Sequence, residues 1–159
     1  MKNAIAAGLG VLLIAASVAA KEPVPAPTQV EFLNSGKVYP AGVPLSEAVR
    51  VGDTLYLSGQ IGIQPGTLKL VPGGLKEEAA QTLNNIRTTL EAHGYSMRDV
   101  IKCTVMLADI SQWGDFNEIY KAHFSAPYPA RSALGASGLA LGAKVEVECI
   151  AVHSSDTKR

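Results

Sequence analysis

Three strand-length segments of this chain alternate at period two, and only two amphipathic helices are available to cover them. In residues 54–63, Leu55, Leu57 and Ile61 share a face with Tyr56, Ser58 and Gln60 opposite. In residues 100–108, Ile101, Cys103, Val105 and Leu107 oppose Lys102, Thr104, Met106 and Ala108. In residues 145–152, Val145, Val147, Cys149 and Ala151 oppose Glu146, Glu148, Ile150 and Val152. Each strand therefore carries one uniformly apolar face and one mixed face. The helix over 75–93 repeats Leu75, Ala79, Leu83, Ile86 and Leu90, and Gly94 fits its stop. A second helix, capped by Asp109 or Ser111, carries Trp113, Phe116, Tyr120 and Phe124 to the prolines at 127 and 129. Two helices cover one sheet face and leave the mixed face open, which points to an α+β layer that oligomerises through that face.

Shorter strands are expected at 30–33, 47–51 and 131–134. Residues 1–20 read as a signal peptide: Lys2 is followed by an apolar, uncharged run and then by Val18-Ala19-Ala20 before Lys21. That run is shorter than the roughly 20 residues a membrane span needs. Residues 21–30, with Pro23, Pro25 and Pro27, read as a tether, and residues 31–159 as one domain. The expected location is periplasmic or secreted, with no membrane association after cleavage. With 14 basic and 14 acidic side chains the chain has no electrostatic footprint for nucleic acid. Cys103 and Cys149 both lie in apolar strands. Pairing is open to them if those strands are neighbours, but buried free thiols are the expected state.

Two residues stand out chemically. Arg131 follows Pro129 on a short element, and a guanidinium matches a carboxylate with two parallel hydrogen bonds. Glu146 lies on the mixed face, where burial would move a carboxyl toward neutrality and suit it to hold a water. On neighbouring strands the two would grip a small carboxylate substrate, or simply form an ion pair at a subunit interface. Ser58-Gly59-Gln60 interrupts an apolar strand, so Gly59 permits either close approach of a ligand or a bend. No Gly-x-Ser-x-Gly elbow surrounds Ser58, and His93, His123 and His153 lack metal-ligand spacing. No metal or cofactor is expected.

The segments Val51-Gly52-Asp53-Thr54-Leu55-Tyr56-Leu57-Ser58-Gly59-Gln60-Ile61, Leu83-Asn84-Asn85-Ile86, Val100-Ile101-Lys102, Asn117-Glu118-Ile119-Tyr120, Pro129-Ala130-Arg131-Ser132 and Val145-Glu146-Val147-Glu148 resemble the RidA family, also called YjgF/YER057c/UK114. The similarity runs from about Val43 to Val152 with the motifs in order. It implies a chorismate-mutase-like fold, with two helices on one face of a mixed sheet and a homotrimer formed through the other. It also implies cofactor-free hydrolysis of enamine or imine intermediates, such as 2-aminoacrylate and 2-iminopropanoate, to 2-keto acids and ammonia. By that resemblance Arg131 holds the substrate carboxylate and Glu146 positions the water. Ser58, Gly59 and Asn117 shape an intersubunit cleft, and the backbone at Ser132 and Ala133 meets the substrate nitrogen. The alternative is a trimeric binding module using the same cleft without turnover. Two departures bear on the substrate: Leu45 stands where the family often has Tyr, and Ala133 where a Cys commonly follows Arg-Ser.

Overall fold

The computed structural model describes residues 27–153. The expected signal peptide and most of the Pro-rich tether lie outside the described residues. Among the described residues seven strands form one sheet: β1 (Val30–Leu33), β2 (Ala48–Val51), β3 (Thr54–Leu57), β4 (Gln60–Ile61), β5 (Val100–Leu107), β6 (Ala130–Gly135) and β7 (Val145–Val152). Their order is β1-β2-β3-β7-β5-β6, with β4 also pairing β7. All pairings are antiparallel except β5 with β6, which run parallel and are joined through α2 (Trp113–His123). A parallel neighbour needs such a crossover, and α2 supplies it.

Helix α1 (Leu75–Ala92) and α2 pack on one face. Leu83, Ile86 and Leu90 of α1, with Phe116 and Tyr120 of α2, bury against Leu55, Leu57, Val105, Leu107, Val145 and Val147. Each such side chain contributes roughly 2 kcal/mol of hydrophobic stabilisation. The opposite face, with Tyr56, Lys102, Thr104, Met106, Glu148 and Ile150, carries no helix among the described residues. The expected apolar layer and open face are both present, with two local departures in phase, at Ile101 and at Gln60-Ile61. Ile101 is half exposed because the β5–β7 register shifts between Val100 and Lys102.

Residues 54–63 do not form one continuous strand, and the face expected for Ile61 and Gln60 is reversed. Tyr56 pairs with Ile150, whereas Gln60 pairs with Val147, so the first strand holds one residue more than its partner over this stretch. That is a β-bulge at Ser58-Gly59, and a one-residue slip exchanges the two faces. Gln60 consequently enters the core, where its amide finds no partner among the described residues. Ile61 turns to the Glu146 face, beneath a second cluster with Val38, Ile63 and Ala143. Asn85 of α1 fixes the resumed strand by donating from Nδ2 to the carbonyls of Ile61 and Ile63, both at 3.0 Å.

The expectation of free thiols is also corrected. Cys103 and Cys149 are directly opposed on β5 and β7 and are joined by a disulfide. Both residues are buried on the helix-covered face.

Candidate active site

Arg131 is the second residue of β6, the strand at the far edge of the sheet, which follows the connecting segment 124–129. Its register partner is Cys103, so its side chain emerges on the helix-covered face. There α2 clamps the guanidinium, whose Cζ lies 4.3 Å from the Tyr120 ring centroid and 4.4 Å from that of Trp113. Asn117, between those aromatics on the same helix, accepts from Nη2 at 2.7 Å. Spacings of four and three residues place Trp113, Asn117 and Tyr120 in one row along α2. The aromatics of α2 and its C-cap divide accordingly: Phe116, Tyr120 and Phe124 are buried, while half-buried Trp113 both packs on the core and stacks on Arg131. No carboxylate pairs with Arg131 among the described residues. The fork faces a cleft of about 380 Å³ lined by Trp113, Asn117, Tyr120, Tyr128 and Pro129.

Glu146 belongs to the other face. It pairs with Met106 on β5 and with Ile61 on β4. The bulge brings Gly59 against its carboxylate so closely that a Cβ built on Gly59 would collide with Oε1 and lie 2.9 Å from Cδ. Burial first, and the charge of Glu148 second, raise the Glu146 pKa above the ordinary carboxylate value. Ser58 donates its hydroxyl to the Ser46 carbonyl at 2.6 Å and so ties the bulge to the segment before β2. Ser132 accepts from Lys102 Nζ at 2.6 Å on the open face. Ala133 packs against the core, so only its backbone is available to a ligand. Because β6 is an edge, half of its backbone groups point away from the sheet.

Arg131 and Glu146 are therefore not on neighbouring strands, as the sequence suggested: β5 lies between them. In register Glu146 aligns with Met106 and Leu134, three residues beyond Arg131. Strand rise and spacing put their Cα atoms about 14 Å apart. Their side chains also leave opposite faces of the sheet. Within one chain the structure brings Arg131 together with Asn117, and Glu146 together with Gly59, the chain neighbour of Ser58, as two separate groups.

Two features of the Glu146 half were not singled out from sequence. The first is Glu47, almost fully buried, which accepts from Ser35 N, Ser35 Oγ and Thr89 Oγ1 at 2.8, 2.7 and 2.8 Å. It anchors a loop that walls a groove of about 350 Å³ together with Tyr39, Val43 and Leu45. The second is Tyr39, whose hydroxyl donates to the Gly59 carbonyl at 2.6 Å. A Glu that opens a strand after a Ser/Asn/Gly-rich turn was the only sequence signal for the first. The second had none, because a 20-residue loop separation carries no periodicity.

Residues 37–153 match the family model described as Endoribonuclease L-PSP. The chain is 47% identical over 115 residues to a 2-iminobutanoate/2-iminopropanoate deaminase of Mus musculus, covering 72% of this chain and 85% of that one. Among solved structures it is similar to RidA from an Antarctic Psychrobacter species, at a TM-score of 0.73 and 40% identity over 77% of this chain and 99% of that one. It is also similar to Escherichia coli TdcF with bound serine, at a TM-score of 0.72 and 32% identity over 78% and 99%.

Proposed function

The chain belongs to the Endoribonuclease L-PSP family, the same family as RidA and YjgF, and on that premise we propose that it is a cofactor-free deaminase of 2-imino acids working at clefts between subunits of a homotrimer. The observation that carries this reading is the Arg131 fork, clamped by Trp113, Asn117 and Tyr120 and left without any carboxylate partner among the described residues. A clamped guanidinium loses little freedom when it takes a substrate carboxylate bidentately. The unhelixed sheet face supports association, and the half-sites on opposite faces require a second copy to complete each site.

The reaction needs little machinery. An imino acid already presents an electrophilic carbon, and water adds to it while Glu146 takes one water proton. The C=N bond becomes a single bond, the nitrogen gains protons, and collapse of the carbinolamine leaves a 2-keto acid and ammonia. One imine and one water give one keto acid and one ammonia, with no redox change. Fixing the carboxylate and one water supplies orientation, which can contribute several kcal/mol. Raised basicity of Glu146 suits it to proton transfer near neutral pH. Ser58 and Gly59 shape the Glu146 half, Asn117 shapes the Arg131 half, and the edge backbone at Ser132 and Ala133 meets the nitrogen. The family model's description names RNA cleavage. The equal numbers of acidic and basic side chains offer no phosphate-tracking surface to support that reading here.

The buried disulfide supports an oxidising compartment, in line with export of the chain by residues 1–20 to the periplasm or outside the cell. Among the described residues no helix is long and apolar enough to cross a membrane. The imine would then come from amino-acid oxidases or dehydrogenases acting outside the cytoplasm.

The test generates 2-iminopropanoate with an amino-acid oxidase and traps it with semicarbazide. Wild type competes with the trap and Arg131→Ala does not. No competition by wild type defeats the deaminase reading, and retained binding of a 2-keto acid would then favour the non-catalytic module. A monomer in sedimentation removes the shared cleft.

A further inference from the structure

A second oxygen of the Glu146 half, the Tyr39 hydroxyl, bonds the residue that Glu146 abuts. Tyr39 lies in the loop between β1 and β2, held there because its neighbour Val38 is fully buried with Ile61, Ile63 and Ala143. The Val38 carbonyl also accepts from Gly66 N at 2.9 Å. The phenol is thus fixed by the fold. Its one proton goes to the Gly59 carbonyl at 2.6 Å, and Gly59 is the residue that abuts Glu146 Oε1. Tyr39 Oη and the Glu146 carboxylate therefore flank a single residue. Burial and then the Glu146 charge push the phenol pKa up to about 12, in keeping with that proximity and with a phenol that stays protonated during turnover.

Ser35 Oγ is engaged on both sides, donating to Glu47 and accepting from Lys37 N, whereas Ser58 Oγ only donates and its proton holds the bulge to the segment before β2. Leu45, on the same groove wall, has no polar atom to offer. Tyr39 Oη, with its proton on Gly59, keeps its lone pairs free, and no donor reaches them among the described residues. A phenol in that state is an acceptor only.

We propose that Tyr39 is a water-positioning residue of the deamination: its Oη accepts the second hydrogen of the attacking water while Glu146 accepts the first. Two acceptors on one water fix the direction of its lone pair, which a single carboxylate leaves free to swing. The proton that moves goes to Glu146, and Tyr39 exchanges none. This inference rests on the deaminase reading and assigns a further residue to the same site.

The test is Tyr39→Phe, which deletes one oxygen and keeps the ring in the groove. Trap competition should fall about three- to tenfold, the worth of one uncharged hydrogen bond. Binding of 2-oxobutanoate, measured by titration calorimetry, should stay unchanged, because the keto acid uses Arg131 and needs no water. The melting temperature should move by no more than about 3 °C. A structural role for Tyr39 would instead lower keto-acid binding and melting temperature together with turnover, and that result overturns the proposal. So does wild-type turnover in Tyr39→Phe. Glu146→Gln run beside it separates the two ideas. If Glu146→Gln is inactive and Tyr39→Phe is normal, the Tyr39 role fails and the deaminase reading stands. If wild type itself does not compete, both fail.

Discussion

Gly59→Ala separates the site from the fold with a single methyl group. The backbone there is outside the left-handed region, so alanine is conformationally acceptable. The three atoms nearest that methyl all belong to Glu146, with Oε1 colliding, Cδ at 2.9 Å and Cγ at 3.2 Å. Ordinary carbon contacts are roughly 3.5–4.0 Å, so the carboxylate must withdraw by more than about 1 Å. It is the far end of a half-buried side chain, and rotation relieves the clash cheaply. Reduced backbone freedom of the unfolded chain returns about 0.4–1 kcal/mol in partial compensation. Stability should therefore change by less than about 1.5 kcal/mol. Turnover should not escape so lightly, because a 1 Å misplacement of a reacting group costs about 10²-fold. The assay is trap competition with urea unfolding of the same preparation. Gly62→Ala is the control: its Cβ would meet Glu78 Cα at 2.7 Å and Glu78 O at 2.8 Å, backbone that cannot rotate away. That variant should lose stability by roughly 1–3 kcal/mol through overpacking between α1 and the sheet. Full activity in Gly59→Ala, or a loss tracking its unfolding midpoint, would refute the reasoning.

The Cys103–Cys149 bond closes a separation of 46 residues, for which chain-entropy loss corresponds to about 4 kcal/mol. The double Cys→Ala variant should show that loss in urea unfolding, and an unchanged midpoint would show that the bond contributes no stability. Glu146 must be ionised to accept a proton, and Glu148 raises its pKa. Glu148→Gln should therefore lower that pKa and move the acid limb of kcat/KM to lower pH. A limb that stays in place would remove Glu146 as the titrating base. Because the folded pKa of Glu146 exceeds its unfolded value, the native state holds more protons across that window. Its contribution to stability thus declines as pH rises from the ordinary carboxylate value through the raised one. Glu146→Gln should flatten that decline in pH-dependent thermal melts.

The layer architecture was legible because Val145, Val147, Cys149 and Ala151 can share a face only in a strand, and Leu83, Ile86 and Leu90 only in a helix. What failed was register. The extra residue at Ser58-Gly59 leaves no trace in an apolar count, since either parity turns one of Gln60 and Ile61 to the helix-covered face. The disulfide failed for a related reason: two cysteines on apolar faces are compatible with pairing only once β5 and β7 are known to be neighbours. Arg131 and Glu146 were legible as residue types, but their faces and the β5 strand between them depend on strand order, a tertiary property. Tyr39 and Glu47 act through a loop whose path follows from burial of Val38, and no periodic pattern encodes that path.

The division of the half-sites between two faces of one sheet has a genetic consequence. In the proposed trimer each cleft takes its fork from one chain and its base from the next. A chain defective at Arg131 still carries a sound Glu146, and the reverse holds for a chain defective at Glu146. Co-expressed and randomly assembled, the two dead proteins would rebuild about a quarter of the clefts intact. Two null alleles would then rescue one another, whereas two lesions placed in the same chain would not, and a cross between strains would read out the geometry of the sheet.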